Sequence, residues 1–128
     1  MQVLYGIDLA QGDLQEALTL FWNNFEAPEK VKAFSSALVT GTWNNRQQID
    51  ALIGSCAENW SVERMSIVDR SILRMAVYEF LYCDEIPPKV AINEAIDLGK
   101  IFGSENSGAF INGVLDALYA KMRETENA

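Results

Sequence analysis

Lys89 and Lys100 are the only cations between Arg74 and Lys121, and Phe102, Asn106, Ser107 and Phe110 follow within one short stretch. A single-stranded base can stack on an aromatic ring while lysines neutralise its phosphates, so this cluster is a candidate RNA surface; the competing reading is a solvated polar flank. Asn112 and Gly113 stand next, inside a helical pattern where glycine costs roughly 1 kcal/mol relative to alanine. Either a close backbone approach requires Gly113, or Asn112 and Gly113 together open a surface for a ligand. Upstream, Ser66, Arg70 and Arg74 share one face at four-residue spacing, with Asp69 beside them. Arg70 and Arg74 repel weakly unless each has an anion. For Arg74 that anion is either a carboxylate such as Glu94, in a structural ion pair, or a bound phosphate.

Catalysis has little to build on. The sequence has no histidine, which removes the commonest general base and every Ser-His or Cys-His nucleophile pair. Cys56 and Cys83 stand far apart with no C-x-x-C motif, so zinc ligation is not expected. Phosphate-binding glycine motifs of the Walker and dinucleotide types are absent. No enzymatic activity, cofactor or metal is expected. The 128 residues carry 18 acidic against 10 basic side chains, a formal charge of -8, which argues against a generally basic nucleic-acid-binding face. Any RNA contact must come from a local patch.

The candidate residues are positioned by short helices. Pro87 and Pro88 preset φ at a first helical turn, where a missing N–H costs nothing. The helix they open runs to Phe102, with Ile92, Ala95, Ile96 and Gly99 inward and Lys89, Asn93, Asp97 and Lys100 on a polar flank. Gly103 is expected to close it in the left-handed conformation, and Ser104 to cap the next helix. That last helix buries Ile111, Val114, Leu115, Leu118 and Met122, and is expected to fray after Lys121-Met-Arg-Glu124. Between Val62 and Tyr82, Met65, Val68, Ile72, Ala76 and Phe80 form a stripe widened by Leu73, Val77 and Leu81, the pattern of a central helix with Ser61 as its N-cap.

Earlier, Val3, Leu4 and Ile7 already follow helical spacing, and Asp13 and Glu16 have capping-box spacing before a helix bearing Leu14, Leu18, Phe21, Trp22 and Phe25. Pro28 opens a third helix with Val31, Phe34, Leu38 and Val39 on its apolar face, and Ile49, Leu52, Ile53 and Cys56 mark a fourth. No alternating strand pattern survives. The fold class is therefore all-α, about seven helices in two small packed bundles, one domain over 1–128 with subdomains of about 1–58 and 59–128.

The run Asp69-Arg-Ser-Ile-Leu-Arg-Met-Ala-Val-Tyr-Glu79, then Ile86-Pro-Pro-Lys-Val-Ala-Ile-Asn-Glu-Ala-Ile-Asp-Leu98, Lys100, Phe102-Gly103, Ser107 and Phe110-Ile-Asn-Gly-Val-Leu115, closely resembles the NusB family of transcription antitermination factors. Gln2-Val-Leu-Tyr5, Leu38, Gly41, Ile49-Asp50 and Ile53 extend the likeness upstream. The resemblance implies a factor that pairs with NusE, a small-subunit ribosomal protein. Together they hold single-stranded boxA RNA within the RNA polymerase antitermination complex, so that ribosomal RNA operons are read through. It implies RNA contacts from Lys89, Lys100, Phe102, Asn106, Ser107, Phe110 and Asn112, and partner contacts from Tyr5, Asp69 and Arg70.

The sequence departs from the family in three places. The family's first helix follows an arginine-rich turn that contacts RNA phosphates, and here no Lys or Arg stands before Lys30; either a basic segment precedes Met1 or this member works without one. Asn106 stands where an acidic residue is usual, and Gly108-Ala109 where a basic residue often precedes the phenylalanine. The alternatives are a NusB-like protein-only scaffold, the RNA-recruiting helical domain of a ribosomal-RNA cytosine methyltransferase, and a homodimer with Trp22 or Trp43 in its contact. With no apolar run long enough for a bilayer and no basic, apolar leader, no membrane is implied and a cytoplasmic location is expected.

Overall fold

Pro28 begins the described part of the chain at φ -57° and ψ 147°, an extended residue that hands a preset turn to the helix after it. The computed structural model describes residues 28–57 and 65–127, without the side chains of Val31 and 124–127. The two helices expected before Pro28, the Ser61 cap and the subdomain boundary near 58 lie outside these residues, as do Tyr5 and Trp22.

Five helices follow: α1 Glu29–Asn44, α2 Arg46–Cys56, α3 Ile67–Tyr82, α4 Pro88–Phe102 and α5 Ser107–Asn127. No strand occurs among the described residues, and the all-α class holds. The central helix is α3, which packs against all four others, while α4 and α5 form the most extensive pair. Ile49 and Ile53 of α2, Ile72, Leu73 and Val77 of α3, Ile92 of α4, and Ile111, Val114, Leu115 and Leu118 of α5 meet in one core. Each fully buried aliphatic side chain here contributes about 1.5–3 kcal/mol.

Several local expectations are corrected. The helix α3 starts at Ile67, and its N-cap is Ser66, whose Oγ accepts the Asp69 N–H at 3.1 Å. Phe34, expected on an inward face, is 53 % exposed. Gly103 is extended, at φ -95° and ψ -166°. A glycine is needed there for space: a Cβ would run into the Ser107 side chain. The last helix begins two residues later than a Ser104 cap predicts and continues to Asn127.

Candidate nucleic-acid and partner interface

The capped first turn of α3 faces the α4–α5 turn across a groove of about 650 Å³ lined by Met65, Ser66, Val68, Asp69, Phe102, Gly103, Ser104, Asn106 and Phe110. The Ser66 cap sets Asp69 at the third helical position, where a carboxylate is favoured by the positive end of the helix. Its Oδ1 is nevertheless buried without a hydrogen-bond partner among the described residues. An acceptor left in that state costs about 1–3 kcal/mol, so a donor brought into the groove would be held there.

The opposite wall is built by the turn. Ser107 Oγ accepts the Ser104 N–H at 2.9 Å and lies 3.2 Å from Ser104 Oγ, while the Ser107 N–H donates to the Ser104 carbonyl at 3.1 Å. Ser107 is 2 % exposed. It holds the turn rather than presenting a surface. Phe102 and Asn106 are exposed and Phe110 is half-buried, which leaves ring faces and an amide at the groove's edge.

The two lysines separate. Lys100 is exposed in the last turn of α4, and its aliphatic stem lies 3.2 Å from where a Cβ on Gly108 would stand. The small residue therefore lets the stem lie along α5. Lys89 sits in the first turn of the same helix, on the same face but about 16 Å away at about 1.5 Å of rise per residue. It is not beside Phe102, as the linear order suggested.

Arg74 is corrected more sharply. Its Nε and NH2 donate to the two carboxylate oxygens of Asp50 at 2.8 and 2.7 Å, a bidentate pair between α3 and α2. Asp50, not Glu94, is the carboxylate it meets, because α2 passes that face of α3. Arg70 is half-buried and also engaged. Trp43 is half-buried, with the Arg46 guanidinium 4.2 Å from its ring centroid.

Asn112 and Gly113 are both exposed, and a Cβ on Gly113 would meet nothing within 4 Å. The close-approach explanation of Gly113 is thus overturned. Gly113→Ala is expected to stabilise the fold by about 1 kcal/mol, read as a rise in the urea midpoint at unchanged slope. A fall would mean that the helix is strained at this residue.

Both cysteines are free and half-buried, and burial, followed by repulsion from Glu85, Glu79 and Asp84, holds the Cys83 thiol above its ordinary range. Among the described residues no group of three His, Cys, Asp or Glu side chains could hold a metal ion, and no helix is long and apolar enough to cross a membrane.

The NusB family model matches residues 1–120. The chain belongs to the NusB family. It is 58 % identical over 124 residues to a transcription antitermination protein NusB of Syntrophus aciditrophicus (strain SB), covering 97 % of this chain and 77 % of that one. Among solved structures, NusB of T. maritima superposes with a TM-score of 0.84 at 37 % identity, over 91 % of this chain and 82 % of that one. A chain from the crystal structure of the antitermination factors NusB and NusE in complex with double-stranded RNA gives 0.82 at 27 % identity, over 93 % and 89 %.

Set against this NusB fold, the sequence anticipated the individual residues better than their grouping. Asp69, placed by resemblance on a partner surface, lines the same groove as Phe102, Asn106 and Phe110. Met65 and Val68, expected in the core stripe, do pack in or against the core and also line the groove.

Proposed function

We propose that this NusB family member acts in the cytoplasm as a transcription antitermination factor, pairing with NusE to hold boxA RNA so that RNA polymerase reads through, notably in ribosomal RNA operons. No bond is made or broken. Two weak surfaces are joined, and each contact gains from the effective concentration the other supplies.

The observation that carries this reading is the shared groove, where Asp69, its Oδ1 unpartnered among the described residues, lines one side and the exposed Phe102 and Asn106 line the other. In this scheme Asp69 and Arg70, with Tyr5, meet NusE. Phe102, Asn106, Phe110 and Lys100 take the adjacent strand of RNA, Asn112 extends that surface along α5, and Lys89 engages a more distant phosphate. Ser107 serves by holding the turn. Division into two helical subdomains, about 1–58 and 59–128, belongs to the same proposal. Its support is the likeness to the NusB chain of the NusB–NusE–RNA complex, together with relatives named as antitermination proteins.

The test is binding of boxA RNA with and without NusE at two salt concentrations. Phe110→Ala should cost about 1–3 kcal/mol of RNA affinity, the size of one lost stack. Lys100→Ala should reduce the salt slope by about one unit. Asp69→Lys should weaken NusE binding first and RNA binding only through it. If NusE fails to tighten RNA binding by the parent chain, the joint-binding scheme is wrong. If Lys89→Ala and Lys100→Ala leave RNA affinity intact, the RNA face lies elsewhere.

A further inference from the structure

A second cleft, of about 490 Å³, opens where α1 and α4 flank the C-terminal half of α3. It is separate from the groove at Asp69, since Glu79 lies about 15 Å further along α3. Its walls are apolar, and Phe34 and Val90 at the rim are 53 % and 45 % exposed. Three carboxylates, Glu79, Glu85 and Glu94, line it, and none of the lining residues is cationic.

Glu79 is the unusual member. It is only 8 % exposed, yet its carboxylate makes no hydrogen bond or ion pair among the described residues. A buried charge in that state is strongly disfavoured unless a cation reaches it. The surroundings sharpen the need: the last turn of α3 carries no basic residue, and its free carbonyls add negative potential at that end. Burial, and then the field of Glu94, raises the Glu79 pKa to about 7.

We infer that this cleft docks an arginine side chain, flanked by apolar residues, from a partner protein, with the guanidinium between Glu79 and Glu94 and the neighbouring apolar groups against Phe34 and Val90. Arginine fits better than lysine because its planar fork can meet two carboxylates and sheds water more readily. The inference does not depend on the boxA–NusE scheme.

The probe is a labelled peptide, Leu-Leu-Arg-Leu-Leu-amide, titrated into the full chain by fluorescence anisotropy beside the same peptide with neutral citrulline for arginine. The arginine peptide should bind at least about tenfold more tightly than the citrulline peptide, and Glu79→Gln or Glu94→Gln should each remove about that preference. Glu94 is exposed, so its substitution tests the cleft even if Glu79→Gln disturbs the fold. Both variants should bind boxA RNA with NusE as the parent does. Equal binding of the two peptides, or variants that keep the arginine preference, would overturn the assignment. So would a monomer–dimer equilibrium on sedimentation that shifts with Glu79→Gln, because the occupant would then be a second copy of this chain.

Discussion

Arg74→Ala is expected to lower the unfolding free energy by about 3 kcal/mol. The guanidinium is buried and holds both oxygens of Asp50, which lies 24 residues earlier on α2. Removing it leaves a half-buried Asp50 carboxylate without this partner and takes away the ion pair that links α2 to the central helix. Asp50→Asn should cost nearly as much, because it leaves the guanidinium buried with a weaker acceptor. The two losses should not add, since each removes the same bond pair. Urea unfolding of the parent, both single variants and the double variant measures this. An Arg74→Ala loss under about 1 kcal/mol would place the pair among solvated surface bridges and assign the α2–α3 contact to Ile49, Ile53 and Leu73 alone.

Glu79→Gln is expected to flatten part of the pH dependence of stability. In the folded chain the Glu79 pKa is raised from 4.5 to about 7, by burial first and by Glu94 second. The groups that face it are carboxylates, Glu94 on α4 and Glu85 before α4, while α1 contributes Phe34 and Leu38. Between those two pH values the native state holds a proton that the unfolded chain has released. Stability from this group is therefore fully present below about pH 4.5 and falls as pH rises through about 7, by about 3 kcal/mol in all. Other carboxylates add slopes of their own, so the quantity to follow is the difference between parent and variant. That difference should grow from about pH 5 to about pH 8 in favour of Glu79→Gln. Parallel stability profiles would show that the carboxylate is solvated by water and carries no penalty. An arginine docked in the cleft would act in the same direction as the substitution, stabilising the parent most at high pH.

These two effects also mark the boundary between local and long-range information in this chain. Helix character was legible because periodicity and boundary chemistry are short-range. Pro28 and Pro87-Pro88 mark the starts of α1 and α4 where the backbone itself demands it, and the stripe of Ile72, Ala76, Leu73 and Val77 identifies α3 as the most surrounded helix. The family was legible for the same reason, since its residues are anchors at fixed spacing around two turns. Boundaries set by side-chain capping were less secure. Ser104 and Ser107 are both plausible caps by type, and only the path of the turn decides that Ser107 accepts the Ser104 N–H and is buried in doing so.

By itself the sequence determined the helical class, the proline start of α4, the family, and the set of residues worth testing. Tertiary structure alone decided which of them meet. Arg74 pairs with Asp50 and not Glu94, Asp69 shares a groove with Phe102 and Phe110, Lys89 stands apart from Lys100, and Glu79 has no cation among the described residues. The physical reason is that spacing along a chain places side chains on a helix face, whereas the angle and register at which helices pack determine what that face touches.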